Sequence, residues 1–275
     1  MRASVLFLFV MGAATACGLS VTGSSDTRAD GGSSGDGPIP LDGATPQGDG
    51  AAAADGGTLD AAADAPADGP LVTEGGDGCT LLIDDTFTTQ SPSWDLLSSA
   101  SFGVGHVELT PNDDGGHAGA IWWKMPLTFS GVLRAEVDFT VDSSGVTAGH
   151  GLAIAWVAST TPYVIGELGQ NFGICNGGLA GVAVAADSRD DQLLAMSSVS
   201  GACGTNNGVW TATVGAGGTL KMELRTNSLT ATLGTTTGTR AVSVSNTGYL
   251  GITASTGGDS QSSHVVAAVR VRSCL

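Results

Sequence analysis

Val132-Leu-Arg-Ala-Glu-Val-Asp-Phe-Thr-Val141 is the stretch that decides the fold class of this chain. Val137, Phe139 and Val141 alternate with Glu136, Asp138 and Thr140. A period of two gives an extended segment one apolar and one wet face, as in an antiparallel sheet packed on one side only. Outward from it, the same kind of short run recurs, rich in β-branched residues and bounded by Gly, Asn, Asp and Ser. Strands are expected at Leu81–Phe87, Val104–Leu109, Ala118–Trp123, Gly151–Val157 and Val182–Ala186. They are expected again at Gly208–Val214, Thr219–Leu224, Leu229–Leu233, Arg240–Val244, Tyr249–Ala254 and Val265–Val271. No amphipathic pattern of three helical turns interrupts them, so residues 79–275 read as one all-β domain, an antiparallel two-sheet sandwich.

The preceding residues are of another kind. Residues 18–78 contain Gly, Asp, Ala, Ser and Pro, no Phe, Tyr or Trp, and 11 acidic residues against one Arg. Such a segment cannot bury enough apolar surface to offset the entropy of ordering, and is expected to be a solvated, extended spacer. Ahead of it, Met1-Arg2 and the apolar run Val5–Met11 form a signal peptide over residues 1–16 that is too short to span a bilayer. Ala14-Thr15-Ala16-Cys17 resembles the bacterial lipobox, with Ala14 where Leu is usual. The resemblance implies lipidation of Cys17 and attachment to a lipid membrane. With Gly18 and no retention-type Asp after it, that membrane is the outer membrane of the bacterial envelope. Ordinary secretory cleavage near the same point is the alternative, and both readings export the chain.

A formal net charge of −16 makes the chain no electrostatic partner for nucleic acid or an anionic surface. With Cys17 set aside, Cys79, Cys175, Cys203 and Cys274 permit three pairings. Cys79 opens the foldable region and Cys274 closes it, so Cys79–Cys274 would staple the domain termini and Cys175–Cys203 would clip an internal loop. No CxxC pair or Cys/His spacing suggests zinc, and His106, His117, His150 and His264 are scattered. Nothing in the sequence specifies an oligomeric state.

Four segments carry a likeness to a known family: Ala118-Gly-Ala-Ile-Trp-Trp-Lys-Met-Pro-Leu127, Gly149-His-Gly-Leu-Ala-Ile-Ala-Trp156, Val182-Ala-Val-Ala-Ala-Asp-Ser188 and Tyr249-Leu-Gly-Ile-Thr-Ala-Ser-Thr-Gly-Gly258. Together they resemble the L-type, legume-lectin-like lectins of the concanavalin A-like jelly rolls. The resemblance implies a jelly-roll sandwich and a glycan or polysaccharide partner. Two departures stand out: the sugar-binding Asp of the family's aDG segment is His150, followed by the retained Gly151, and the metal-binding Glu of its VAVEFDT strand is Ala185. Asp187 survives from that strand, with Asp190 and Asp191 nearby as replacements, so any metal here would be calcium on Asp187, Asp190 and Asp191. The other reading of these three is a solvated turn. Gly166–Gly178 resembles the family's Gly-rich ligand loop, and with His150 and Gly151 it offers Asn171, Asn176 and Gly178 as site lining.

Related folds house glycosidases, which need two carboxyls about 5–5.5 Å apart in the retaining case. The domain has only Glu108, Glu136, Glu167 and Glu223, none in an acidic set, and no G-x-S-x-G elbow, so no catalytic residue is assigned. Trp94, Trp122, Trp123, Trp156 and Trp210 are the rings available for stacking on sugar. Trp156, in phase with Leu152 and Ile154, belongs to the core; of the adjacent Trp122 and Trp123, one is core and the other is either exposed or beneath a loop. Two functions follow: a membrane-anchored carbohydrate-binding lipoprotein, or a structural or protein-interaction sandwich that has lost sugar binding.

Overall fold

A computed structural model describes residues 78–113, 116–142, 149–158, 165–201, 203, 207–258 and 262–275. The signal peptide, Cys17 and the acidic spacer up to residue 77 lie outside the described residues.

Two eight-stranded sheets pack face to face. Sheet one runs in the order β14 (Thr236–Ala241), β13 (Ser228–Leu233), β12 (Gly217–Arg225), β7 (Val132–Asp142), β16 (Ser263–Cys274), β4 (His106–Thr110) and β3 (Ser101–Gly103), with β1 (Cys79–Asp85) also on β16. Sheet two runs β11 (Asn207–Thr211), β10 (Gln192–Met196), β9 (Gly181–Asp187), β8 (Gly151–Val157), β15 (Thr247–Ser255), β5 (Ala118–Trp123) and β2 (Trp94–Ser98), with β6 (Leu127–Thr128) on β15. Adjacent strands pair antiparallel, as in β7 with β12 and β8 with β9. Among the described residues the sole helical element is one 3-10 turn, Gly169–Asn171.

The alternation that opened the sequence reading is the packing rule of β7. Ala135, Val137, Phe139 and Val141 are buried between the sheets. Glu136 faces Lys221 at 3.1 Å on the outside and Asp138 faces Arg270 at 3.6 Å, while Arg134 meets Glu223 at 3.1 Å. These cross-strand ion pairs are half exposed, each worth about 0.2–1 kcal/mol. They also give the carboxylates of Glu136 and Asp138 cationic partners on the outer face of sheet one. From sheet two, Leu152, Ile154, Trp156, Val184, Leu250 and Ile252 complete the same core. Each such side chain contributes roughly 1.5–3 kcal/mol by leaving water.

The strand boundaries depart from the sequence reading where the pattern is weakest. β14 lies at Thr236–Ala241, earlier than the expected Arg240–Val244. Its inward position opposite Ala231 is Gly238, where an added Cβ would lie 2.2 Å from the Trp210 ring: the apolar mass under this strand comes from β11. β10, Gln192-Leu-Leu-Ala-Met196, gave no alternation because both of its faces are covered. β2, β3 and β6 are short strands that the sequence reading left out.

Cys79 stands opposite Cys274 in the β1–β16 ladder and the two form a disulfide with Cα atoms 4.0 Å apart; Cys175 and Cys203 form the second, at 5.5 Å. In the chain-entropy account, sequence separations of 195 and 28 residues correspond to about 5 and about 3.5 kcal/mol. We therefore expect the Cys79→Ser/Cys274→Ser double variant to lose more stability than Cys175→Ser/Cys203→Ser in urea unfolding. The reverse order would show that the internal clip, not the terminal staple, dominates.

Candidate functional site

The outer face of sheet two is apolar. Ala120 and Trp122 of β5, Ala153, Ala155 and Val157 of β8, Ala183 and Ala185 of β9, and Leu194 and Met196 of β10 all point there and are buried. A segment over residues 165–179 covers them with Phe172, Ile174, Cys175 and Leu179, joined by Val199 and Cys203 from the segment after β10. Trp122 is thus the ring beneath a loop, lying flat over Gly251, where a Cβ would sit 2.4 Å from the ring. Trp123 turns inward and meets Trp94 edge to face at 5.1 Å.

Hydroxyls on β15 hold the cover down. Thr253 Oγ1 donates to the carbonyl of Phe172 at 2.7 Å and Ser255 Oγ to that of Gly169 at 2.7 Å, while the Gly169 N–H donates to Thr256 O at 3.2 Å. Asn171 and Asn176 both donate to Glu167 Oε2, at 3.2 and 2.7 Å. Asn171 Oδ1 also accepts the Cys203 N–H at 3.2 Å. Asn171 is buried with both ends of its amide engaged, so it ties the two covering segments together and does not present its amide to solvent. Asn176 and Gly178 lie on the exposed end of the segment, Gly178 with φ +73°.

At one end of the sheet, Gly151 of β8 pairs with Asp187 of β9 on one side and Ser255 of β15 on the other. Gly151 has φ +125°, and a Cβ there would lie 2.0 Å from Ala186 O, so only glycine serves. Asp187 is buried and caps the turn that follows: its Oδ1 accepts the N–H of Arg189 at 3.0 Å and of Asp190 at 3.3 Å. Burial pushes its carboxyl up to about 6, against the pull of those two donors and with the help of the Asp190 charge. Asp191 turns away, its Oδ1 accepting the Val214 N–H at 3.2 Å.

Arg189, unnoticed in the sequence, donates from its guanidinium to His150 Nε2 at 3.0 Å. Because that nitrogen accepts, the His150 proton is assigned to Nδ1, which is buried without a protein partner. Burial, then Arg189, lower the pKa of His150, with Asp190 opposing. Behind it, His264 of β16 is fully buried and bonds Thr110 Oγ1 through Nδ1 at 2.7 Å. Thr110 gives its own proton to Ser262 O at 3.0 Å, so it accepts from His264 and leaves His264 Nε2 as an unpartnered acceptor. Burial, with His150 nearby, pushes His264 down to about 4. Arg189 lies in the Asp187–Asp191 turn and His264 follows the Tyr249–Gly258 segment in the chain, and the fold brings both to His150.

Beside Asp187 opens a cleft of about 260 Å³ with Gln170, Asp190, Gln192 and Asn207 on its polar side and Phe172, Leu194 and Val209 on its apolar side. Amides and carboxylates around an apolar floor can accept from and donate to ligand hydroxyls. Of the residues singled out in the sequence, the cleft includes Asp187, Asp190 and Cys203; His150 and Gly151 stand just behind Asp187 in the fold. Calcium requires about six to eight converging oxygens. Among the described residues no group of three or more His, Cys, Asp or Glu could hold a metal ion. Ala185 is fully buried, Asp187 Oδ1 holds a turn and Asp191 caps a neighbouring backbone, so Asp187, Asp190 and Asp191 do not fit a calcium set. They stand at the turn after β9, with Asp187 buried and not solvated.

This architecture matches a defined class. Residues 83–214 match the model of the legume-like lectin family, and the sandwich has the legume-lectin, concanavalin A-like fold. The winged bean acidic lectin complexed with methyl-α-D-galactose superposes with a TM-score of 0.56 at 18% identity, over 69% of this chain and 96% of that one. Arcelin-5, a lectin-like defense protein from Phaseolus vulgaris, gives 0.55 at 14% identity, over 71% and 98%. The exoplasmic/lumenal domain of VIP36 in its Ca2+- and mannose-bound form gives 0.52 at 20% identity, over 66% and 83%. No curated protein matches the chain in sequence.

Two outcomes follow from this geometry. Thr253→Val keeps the shape of the side chain and strips the Phe172 carbonyl of its buried donor, so we expect a loss of about 1–3 kcal/mol in thermal or urea unfolding, with the cover loosened in hydrogen exchange. An unchanged stability would show that the β15 hydroxyls do not hold the cover.

The pH dependence has two parts of opposite sign. Between the ordinary histidine value of 6.5 and about 4, the unfolded chain binds a proton at His264 that the folded chain refuses; this contribution is complete above 6.5 and is lost as pH falls. Between about 6 and 3.8 the folded chain binds the extra proton, at Asp187, so the cost of burying that carboxylate is felt above 6 and lifts as pH falls. His150, also lowered, acts in the same sense as His264, so His264→Gln is expected to reduce the acid-side loss, and Asp187→Asn to remove the acid-side gain. Wild-type pH slopes in both variants would overturn these assignments.

Proposed function

We propose that this chain is a carbohydrate-binding lipoprotein of the bacterial envelope, without catalysis, that holds its lectin-like domain away from the outer membrane on an acidic spacer. The observation that carries the binding reading is the amide- and carboxylate-lined cleft beside Asp187, at the sheet end where His150, Gly151 and the Gly-rich segment were singled out. The likeness of residues 83–214 to the legume-like lectin family supports it, as do solved structures of the same fold with methyl-α-D-galactose or with Ca2+ and mannose bound. Recognition would run through Gln170, Asp187, Asp190, Gln192 and Asn207, with the turn after Asp187 held in place by Arg189 and His150. The binding proposed here is calcium-independent, in keeping with the acidic residues among the described residues, which form no group for a metal ion.

The anchor rests on Cys17 and the signal peptide before it. One acyl chain holds a membrane only marginally, whereas the lipobox resemblance implies acylation at more than one position and stable attachment.

A second reading is a protein-interaction sandwich that keeps the fold alone. It is favoured by the apolar Ala185 and by likeness to arcelin-5, itself described as lectin-like. A glycan array probed with the purified chain, with and without EDTA, separates the two. We expect binding that survives EDTA and is weakened about ten-fold or more by Asn207→Ala or Gln170→Ala. Binding to no glycan at high protein concentration would remove the lectin reading, and binding abolished by EDTA would remove its calcium independence.

A further inference from the structure

The end of β8 and β9 opposite Asp187 carries a cleft of its own. Gly151 pairs with Asp187 at one end of these strands and Val157 with Gly181 at the other, six residues away along β8, a separation of roughly 20 Å at the rise of an extended strand. The cleft there measures about 250 Å³. Trp156, Val182 and Val244 supply its apolar part. Its polar part is five serines: Ser197, Ser198 and Ser200 from the segment after β10, and Ser243 and Ser245 from the segment leading into β15. One wall therefore follows a strand of sheet two and the other follows a strand of sheet one.

Hydrogen bonds fix both walls before any ligand arrives. On one side the Val199 N–H donates to Gly181 O at 3.1 Å, and the hydroxyls of Ser198 and Ser200 lie 3.0 Å apart. On the other, the indole N–H of Trp156 donates to Ser245 O at 3.1 Å and the Val244 N–H to Thr226 O at 3.1 Å. Among the described residues that line it there is no ionisable side chain, although the chain as a whole carries −16. A charged ligand would find no counter-charge here and would lose its hydration, which costs several kcal/mol. Each serine hydroxyl both donates and accepts, so the complementary ligand presents groups that do the same: its own hydroxyls. The volume suits one ring-sized unit, not an extended chain.

We propose that this serine-lined cleft is a second binding site, for a neutral saccharide unit, at the opposite end of the sandwich from the Asp187 cleft. It stands independently of whether the Asp187 end binds sugar. A domain with both sites engages two units at once along the β8–β9 direction.

Heteronuclear NMR of the 15N-labelled chain tests it. The probes are the methyl glycosides of mannose, galactose, glucose, xylose and N-acetylglucosamine, with methyl glucuronoside as a charged control. With at least one neutral glycoside we expect saturable shifts at the Trp156 indole N–H and the amides of Ser198, Ser200, Ser243 and Ser245, at millimolar affinity. The charged control is expected to leave them unmoved. Ser243→Trp and, from the opposite wall, Ser198→Trp each fill the cleft from an exposed position and are expected to weaken these shifts at least ten-fold. Shifts at Gln170, Asp187 and Asn207 remain in both variants if that end binds. No saturable shift at the serine end with any neutral glycoside overturns the second site while leaving the Asp187 reading intact. Shifts at the serine end that persist in both tryptophan variants, or that the glucuronoside produces equally, also overturn it.

Discussion

Sheet two is apolar on both faces, and that condition shapes everything built on it. Its inner side chains pack against sheet one, but Ala153, Ala155, Ala183, Ala185, Trp122 and Met196 on the outside would face water unless covered. An antiparallel sheet ordinarily leaves one face wet, as sheet one does with its row of ion pairs. Here the cover is irregular chain, which brings backbone N–H and C=O groups into an apolar place where each needs a partner. Thr253 and Ser255 meet that need from the sheet, Asn171 and Glu167 from within the cover, and Cys175–Cys203 joins its two pieces. The small alanines allow close approach of Phe172 and Ile174. Larger side chains there would lift the cover and open its hydrogen bonds.

The same arrangement explains how groups of the chain itself hold the end of the sheet. A bound cation orders loops by converging oxygens. Here the turn after Asp187 is ordered by two backbone N–H bonds to one buried carboxylate, by Ser188 bonding back to Gly149 and His150, and by the guanidinium of Arg189 on the imidazole of His150. The cost falls on these groups: burial drives Asp187 toward neutrality and both histidines away from charge. Asp190, on the exposed side of the turn, is what keeps His150 from being driven further.

The fold was legible wherever one face of a strand is wet. β7, β12 and β13 show period-two alternation because a polar residue had to follow each buried one, and β5 and β8 were placed to the residue as runs of apolar and β-branched side chains. β10 lacks alternation because it is buried on both faces, and β14 lacks an apolar stripe because Trp210 of another strand fills its place over Gly238. Of the candidate site, the resemblance gave Gly151 and Asp187 in separate segments, and the β8–β9 register pairs them. Arg189, His264 and Glu167 fall in or beside recognisable segments, but no local pattern gives their contacts. Their parts arise from register and from a sequence separation of 114 residues between His150 and His264 that no local rule spans. Asn171 was found as a site residue by its loop, but the amide is consumed by Glu167 and Cys203.

The placement of the tryptophans bears on what kind of recognition this sandwich can perform. Five of them would be ample for sugar stacking, yet Trp94, Trp122 and Trp156 are buried, and Trp123 and Trp210 pack half-buried against the core. None stands as an open ring platform. Recognition at either cleft would then rest on amides, carboxylates and hydroxyls, each of which must surrender a water to take a ligand hydroxyl, so the net gain per contact is about 0.5–1.5 kcal/mol. A handful of such bonds, after the entropy of association, supports only weak binding to a single sugar unit. Useful affinity on a polysaccharide would come from engaging several units at once, since tethering turns the second contact into an intramolecular one. Two clefts at opposite ends of the same pair of strands supply that geometry within one chain, and a rigid sheet fixes their spacing.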